Sequence, residues 1–119
     1  MSDLFAAFEL VERGGMRQFA RAPTDLRTLL DSARRHGPAT LVVEGDRRLT
    51  YAEVFARADA LAAALDIAPG ERVAIAMRNC AEWMIGFLAI VRAGGIAVLV
   101  NSRGGRSSVR ETCQLSILR

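Results

Sequence analysis

The chain has 119 residues, 51% hydrophobic and 24% charged, with a net charge of +3, which suits one globular domain and excludes a disordered segment. All 16 basic residues are Arg, so a Walker-type phosphate loop and Schiff-base catalysis, which each need a Lys, are excluded. Two cysteines, Cys80 and Cys113, and one histidine, His36, are too few and too scattered for a disulfide scaffold or a zinc site.

Residues 1–23 read as an N-terminal arm, either a short helix or an extended piece. The arm has neither a basic start nor a long apolar stretch, so no secretory signal is read and the cytoplasm is the expected compartment. Pro23 opens a boundary. In 24–37, Leu26, Leu29, Leu30 and Ala33 recur at helical spacing, Thr24 or Asp25 stands ready as cap, and Gly37-Pro38 ends the helix. The β-branched run 39–45 is a strand. Gly45-Asp46 is a turn, and Arg47 to Leu49 returns as the second strand of a hairpin.

The stretch 49–65 is the clearest helix. Tyr51, Val54, Phe55, Ala58, Leu61, Ala62 and Leu65 form one apolar stripe, and Thr50 with Glu53 has the spacing of a capping box. After a turn at 66–71, residues 72–77 form a continuous apolar strand, the mark of a central position covered on both faces. A helix over 79–95 follows, apolar almost all round, and a second apolar strand over 96–101. Strand, helix and strand make a βαβ unit with parallel strands. The apolar run Met84 to Val91 is broken by Gly86, and no run approaches the ~18 residues of a membrane span. The tail 102–119 changes texture, with a small, polar, basic stretch and then a thinly patterned helix over 108–118 opened by Ser108 and Glu111. The elements predict an α/β fold with a mainly parallel sheet and flanking helices, an incomplete N-terminal subdomain.

Three places invite a chemical reading. His36, in "RRHGP", is read as a solvated loop side chain. Cys80, in "MRNCAEW", would sit at the first helical position, where the helix dipole lowers a thiol pKa. It is a nucleophile candidate, but a small residue in a capping turn serves as well, because Asn79 and Glu82 repeat the capping-box spacing. The loop 101–108 holds two glycines with Arg103, Arg106 and Ser108. Its N–H groups and guanidinium forks make an anion-site candidate, weighed against a flexible surface loop. The arginines never run beyond two together and no aromatics interleave them, so a nucleic-acid patch is not expected.

The stretch from Leu49 to Asn101 resembles the N-terminal part of the AMP-forming acyl-adenylate synthetases. "LTYAEVFARADALAAAL" is similar to that superfamily's TY-x-E helix, and Glu71-Arg72-Val73-Ala74-Ile75 to its GDRVAI strand. Arg78-Asn79-Cys80-Ala81-Glu82 resembles its PNS-x-E turn, with Arg for Pro and Cys for Ser, while Ala93-Gly94-Gly95 and Val98-Leu99-Val100-Asn101 resemble its AGA turn and VPLN strand. The resemblance implies an acyl-CoA ligase of fatty acid metabolism. In such an enzyme a small carboxylic acid is activated by ATP and Mg²⁺ as acyl-AMP and then passed to CoA. It carries over no catalytic residue and no metal ligand to this chain. The family's phosphate loop, nucleotide motifs and catalytic Lys have no counterpart here, so the chain is expected to be a fragment that is inactive alone. The alternative is a free-standing, non-catalytic interaction or anion-binding module. The departure near Gly104 from the family's usual continuation suggests a truncated or frameshifted tail over 102–119. An open edge at 96–101 and a helix apolar all round predict self-association of the isolated chain.

Overall fold

The computed structural model describes residues 9–100 and the strand 114–118. Its first elements decide between the two forms read for the arm over residues 10–19. β1 (Leu10–Arg13) and β2 (Met16–Phe19) form an antiparallel hairpin, with Leu10 opposite Phe19. Gly14 and Gly15 make the turn at φ of 61° and 77°, a left-handed pair that glycine adopts without steric cost and that matches the twist of the strands. The extended option was right for these residues, and the turn back was the missed feature.

The helix expected over 24–37 is split. α1 (Leu26–Asp31) starts at Asp25, whose carboxylate accepts from the Thr28 amide at 2.7 Å, and a 3-10 turn (Ser32–His36) completes the segment. That bond holds the Asp25 carboxyl below its ordinary value. β3 (Thr40–Glu44) and β4 (Arg47–Thr50) form the expected hairpin. α2 (Tyr51–Ala64) carries a complete capping box: the Glu53 amide donates to Thr50 Oγ1 at 3.2 Å, and the Thr50 amide donates to Glu53 Oε2 at 2.8 Å.

β5 (Arg72–Ala76), α3 (Ala81–Arg92) and β6 (Ile96–Leu99) are the strand-helix-strand unit, with β5 and β6 parallel. β7 (Gln114–Leu118) lies antiparallel on the other edge of β5, giving the order β6-β5-β7. Two expectations fail at β7. The helix over 108–118 is replaced at 114–118 by a strand, because pairing with β5 satisfies a backbone whose own apolar spacing is too thin to hold a helix on a core. The sheet is also not mainly parallel: β5–β6 is the one parallel pair among the described residues, and β5–β7 and both hairpins are antiparallel.

The pattern of α3 now has its reason. One side packs on α2 and β4, where Ala81, Ile85, Leu88 and Ala89 meet Leu49, Val54, Phe55 and Ala58. The other side packs on the sheet, where Ile90 meets Val73 and Ile75, with Trp83 and Phe87 half-buried beside them. A helix between two apolar layers has little polar face to spare. Ion pairs fasten the outer ends. Arg34 grips Asp59 through two bonds of 2.9 and 2.7 Å, and Asp31 accepts from Arg34 and Arg92, each at 3.0 Å. Arg34 also lies 4.5 Å over the Phe55 ring. Among the described residues no helix is long and apolar enough to cross a membrane.

Candidate functional site

In an open α/β sheet the carboxyl ends of parallel strands are where a ligand is normally met. Here that edge is made by β5 and β6. Ile75 is in register with Leu99, and the Val100 amide donates to the Ile75 carbonyl at 3.1 Å. The turn 77–80 therefore emerges beside the point where the chain leaves β6 toward residues 101–108.

The polar groups of this edge come from three elements. Glu44 ends β3, Arg47 begins β4, and Arg78, Cys80 and Glu82 belong to the turn and the first turn of α3. Arg47 Nη1 donates to Glu82 Oε1 at 2.6 Å and lies 3.6 Å from Glu44. Glu44 Oε1 is 3.9 Å from Arg78, and its Oε2 accepts from the Ala81 amide at 3.5 Å. The side chain of Arg78 is 77% exposed. The Arg47 guanidinium, and then its own backbone amide, hold the Glu82 carboxyl below its ordinary value, and Glu82 in turn raises Arg47. Both groups are charged at neutral pH, so neither is poised to exchange a proton.

The cap of α3 departs from the sequence reading. The N-cap is Cys80, in extended backbone, and its side chain accepts no capping bond. Asn79 is exposed and is not the cap. Helical geometry begins at Ala81, one residue later than N-x-x-E spacing requires, so Glu82 falls at the second helical position, where it pairs with Arg47. The missing side-chain cap is supplied in part from a distant element, by Glu44 at the Ala81 amide. Cys80 is half-buried and shares its surroundings with Glu82 and Arg47. His36 ends the 3-10 turn, its ring 4.9 Å from that of Tyr51. The anion-site candidates Arg103, Arg106 and Ser108, with the proposed cap Ser108/Glu111, lie outside the described residues.

Sequence reading missed Glu44 and Arg47. The signal was present in "EGDR", where opposite charges flank a tight turn and so face each other across the hairpin. Among the described residues no group of three or more His, Cys, Asp or Glu side chains is gathered to hold a metal. Among the described residues of this edge, Glu44 and Glu82 both lie against Arg47, so these carboxylates do not fit a magnesium–nucleotide complex. What it does is fix the β5–α3 joint against the β3–β4 hairpin.

Known proteins resemble the chain in both sequence and fold. A sequence profile of the family described as AMP-binding enzyme matches residues 29–116. Triostin synthetase I of Streptomyces triostinicus is 39% identical over 71% of this chain and 17% of its own length. A medium/long-chain-fatty-acid–CoA ligase of Mycobacterium tuberculosis is 31% identical over 85% of this chain and 18% of its own. The chain thus spans less than a fifth of these relatives. The N-terminal subdomain of Klebsiella oxytoca NpsA, solved with anthranilyl-AMSN, superposes with a TM-score of 0.63 at 29% identity, covering 66% of this chain and 22% of that one.

Proposed function

The chain belongs to the AMP-binding enzyme family, the AMP-forming acyl-adenylate synthetases, and from that premise we propose that it is the amino-terminal α/β part of an ATP-dependent acyl-CoA ligase. In the complete ligase a substrate carboxylate attacks the α-phosphate of ATP. Acyl-AMP forms, pyrophosphate leaves, and the CoA thiol then displaces AMP to give a thioester. Residues 24–101 would be the family's α/β part, with 1–23 an arm and 102–119 a tail. The residues of this chain supply scaffold: α3, held between α2 and the sheet, sets where the carboxyl ends of β5 and β6 open. ATP, Mg²⁺, CoA and a fatty or related acid, in the cytoplasm, are partners of the whole enzyme.

The observation that supports this reading is the joint likeness in sequence and fold over about two thirds of the chain. CoA ligases and peptide synthetases both stand among the relatives, one matching over 85% of the chain at 31% identity and the other over 71% at 39%, and the CoA-ligase form is the one put to the test. The test is a graft. Residues 24–100 replace the corresponding segment of the mycobacterial ligase, and ATP–pyrophosphate exchange is measured with a fatty acid. The graft is expected to exchange, and the isolated chain to release no pyrophosphate above a heat-killed control, since it lacks groups to position the triphosphate and stabilise its developing charge. A folded but inactive graft, or an active isolated chain, overturns the proposal.

A second reading has one observation in its favour. β7 covers the second edge of β5 from within the chain, as a self-sufficient interaction or anion-binding module would require. In that case phosphate titration shifts the NMR signals of Arg103, Arg106 and Ser108, and in the scaffold reading it shifts none.

A further inference from the structure

The edge strand β6 has a backbone phase and a side-chain order that suit a copy of itself. The Ile96 amide donates to Glu71 at 2.8 Å and the Val100 amide to Ile75 at 3.1 Å. Alternation along a strand then turns the N–H and C=O groups of Ile96, Val98 and Val100 toward β5, and sends those of Ala97 and Leu99 outward. Among the described residues β6 pairs with β5 alone. Its side chains include large exposed apolar groups, Ile96 at 49%, Leu99 at 57% and Val100 at 44%. From 96 to 100 there is no charge, no Pro and no bulge, the devices that usually blunt an edge.

The geometry points to an antiparallel pairing of β6 with β6 of a second copy, about a twofold axis at Val98. This register places Ala97 opposite the partner's Leu99, and its symmetry mate likewise. These are the residues whose outward groups exchange both bonds, so four backbone bonds form. Ile96 faces the partner's Val100, so two exposed apolar side chains cover each other on both sides of the axis. Val98 faces itself as a non-hydrogen-bonded pair. The two three-stranded sheets become one continuous sheet, and a twofold pairing of this kind closes at a dimer. This inference concerns the 119-residue chain and stands apart from the ligase reading.

The register is tested by cross-linking and by mass. In a background with Cys80→Ser and Cys113→Ser, Val98→Cys is oxidised. Non-hydrogen-bonded partners sit with Cα atoms about 4.5 Å apart, within the range of about 4.4–6.8 Å that a disulfide spans. Val98→Cys is expected to give a covalent dimer, and Arg48→Cys, on the outer face of β4, none. By sedimentation velocity the parent chain is expected at twice 12.9 kDa. Ala97→Pro, which removes an outward N–H and leaves the β5 ladder intact, is expected to halve that mass. Leu99→Lys, at an exposed position, repeats the test if the proline variant does not melt cooperatively. A monomeric parent, an open-ended series of oligomers, a dimer untouched by a folded edge variant, or no cross-link at Val98 overturns the proposal.

Discussion

Gly95 joins α3 to β6, and replacing it with Ala tests how tightly this corner is packed. A Cβ there would lie 2.8 Å from Ile67 Cδ1, 3.0 Å from Ile90 Cγ2 and 3.2 Å from the Glu71 carbonyl oxygen. The backbone at Gly95 is not left-handed, so the cost is steric alone. The Ile67 methyl ends a flexible, half-buried side chain and can turn away. Ile90 is 0% exposed and has no room to retreat. The Glu71 oxygen accepts the Ile96 amide at 2.8 Å, the first rung between β5 and β6, so moving it loosens the sheet. Overpacking of this kind costs about 1–3 kcal/mol. Alanine restrains the unfolded chain and returns about 0.4–1 kcal/mol. The two ranges leave a net loss of about 0–2.6 kcal/mol, with a middle value of about 1.3 kcal/mol, a sizeable share of the about 5–15 kcal/mol that holds a domain folded. Urea unfolding followed by fluorescence of Trp83, the one tryptophan, reads it as a lower midpoint at unchanged slope. Adding Ile67→Ala should relieve the closest contact without restoring the midpoint. A midpoint that is unchanged or raised in Gly95→Ala refutes the packing argument, and full rescue by Ile67→Ala refutes the part assigned to Ile90 and Glu71.

Two further changes probe caps and charge. Thr50→Ala removes half of a complete capping box and should cost about 1 kcal/mol, whereas Asn79→Ala should be near neutral because Cys80 holds the N-cap; equal losses in thermal melts would restore the capping role read from N-x-x-E. The Asp59 carboxyl is held below its ordinary value of 3.8 chiefly by Arg34. A carboxyl lowered in the folded state contributes stability that is present above its unfolded pKa and is lost as pH falls through the folded value. Melting temperature against pH should therefore drop less steeply in strong acid for Asp59→Asn than for the parent, and parallel profiles would show that the pair contributes nothing.

Local order was legible in the residues because its causes are local. The stripe Tyr51, Val54, Phe55, Ala58 repeats within a helical turn, Thr50 and Glu53 meet three residues apart, and the nearly all-apolar sequence of α3 between Glu82 and Arg92 announces burial on two sides. The order of β5, α3 and β6 follows from their lengths and the stiffness of parallel crossover. The family resemblance rests on this same stretch. What the tertiary structure decided involves partners distant in sequence. Asn79 and Cys80 are both adjacent to the start of α3, and the choice between them depended on Glu44, brought to the Ala81 amide by a hairpin more than thirty residues earlier. "QLSIL" lies as a strand because the edge of β5 offers five residues of partner backbone, in the register Arg72↔Leu118 to Ala76↔Gln114. Asp31, Arg34, Asp59 and Arg92 are ordinary surface charges in the sequence and become a network only where three helical segments converge. Periodicity and capping act over about four residues, whereas strand pairing and ion pairing act through space, and only the folded chain says which edges and charges meet.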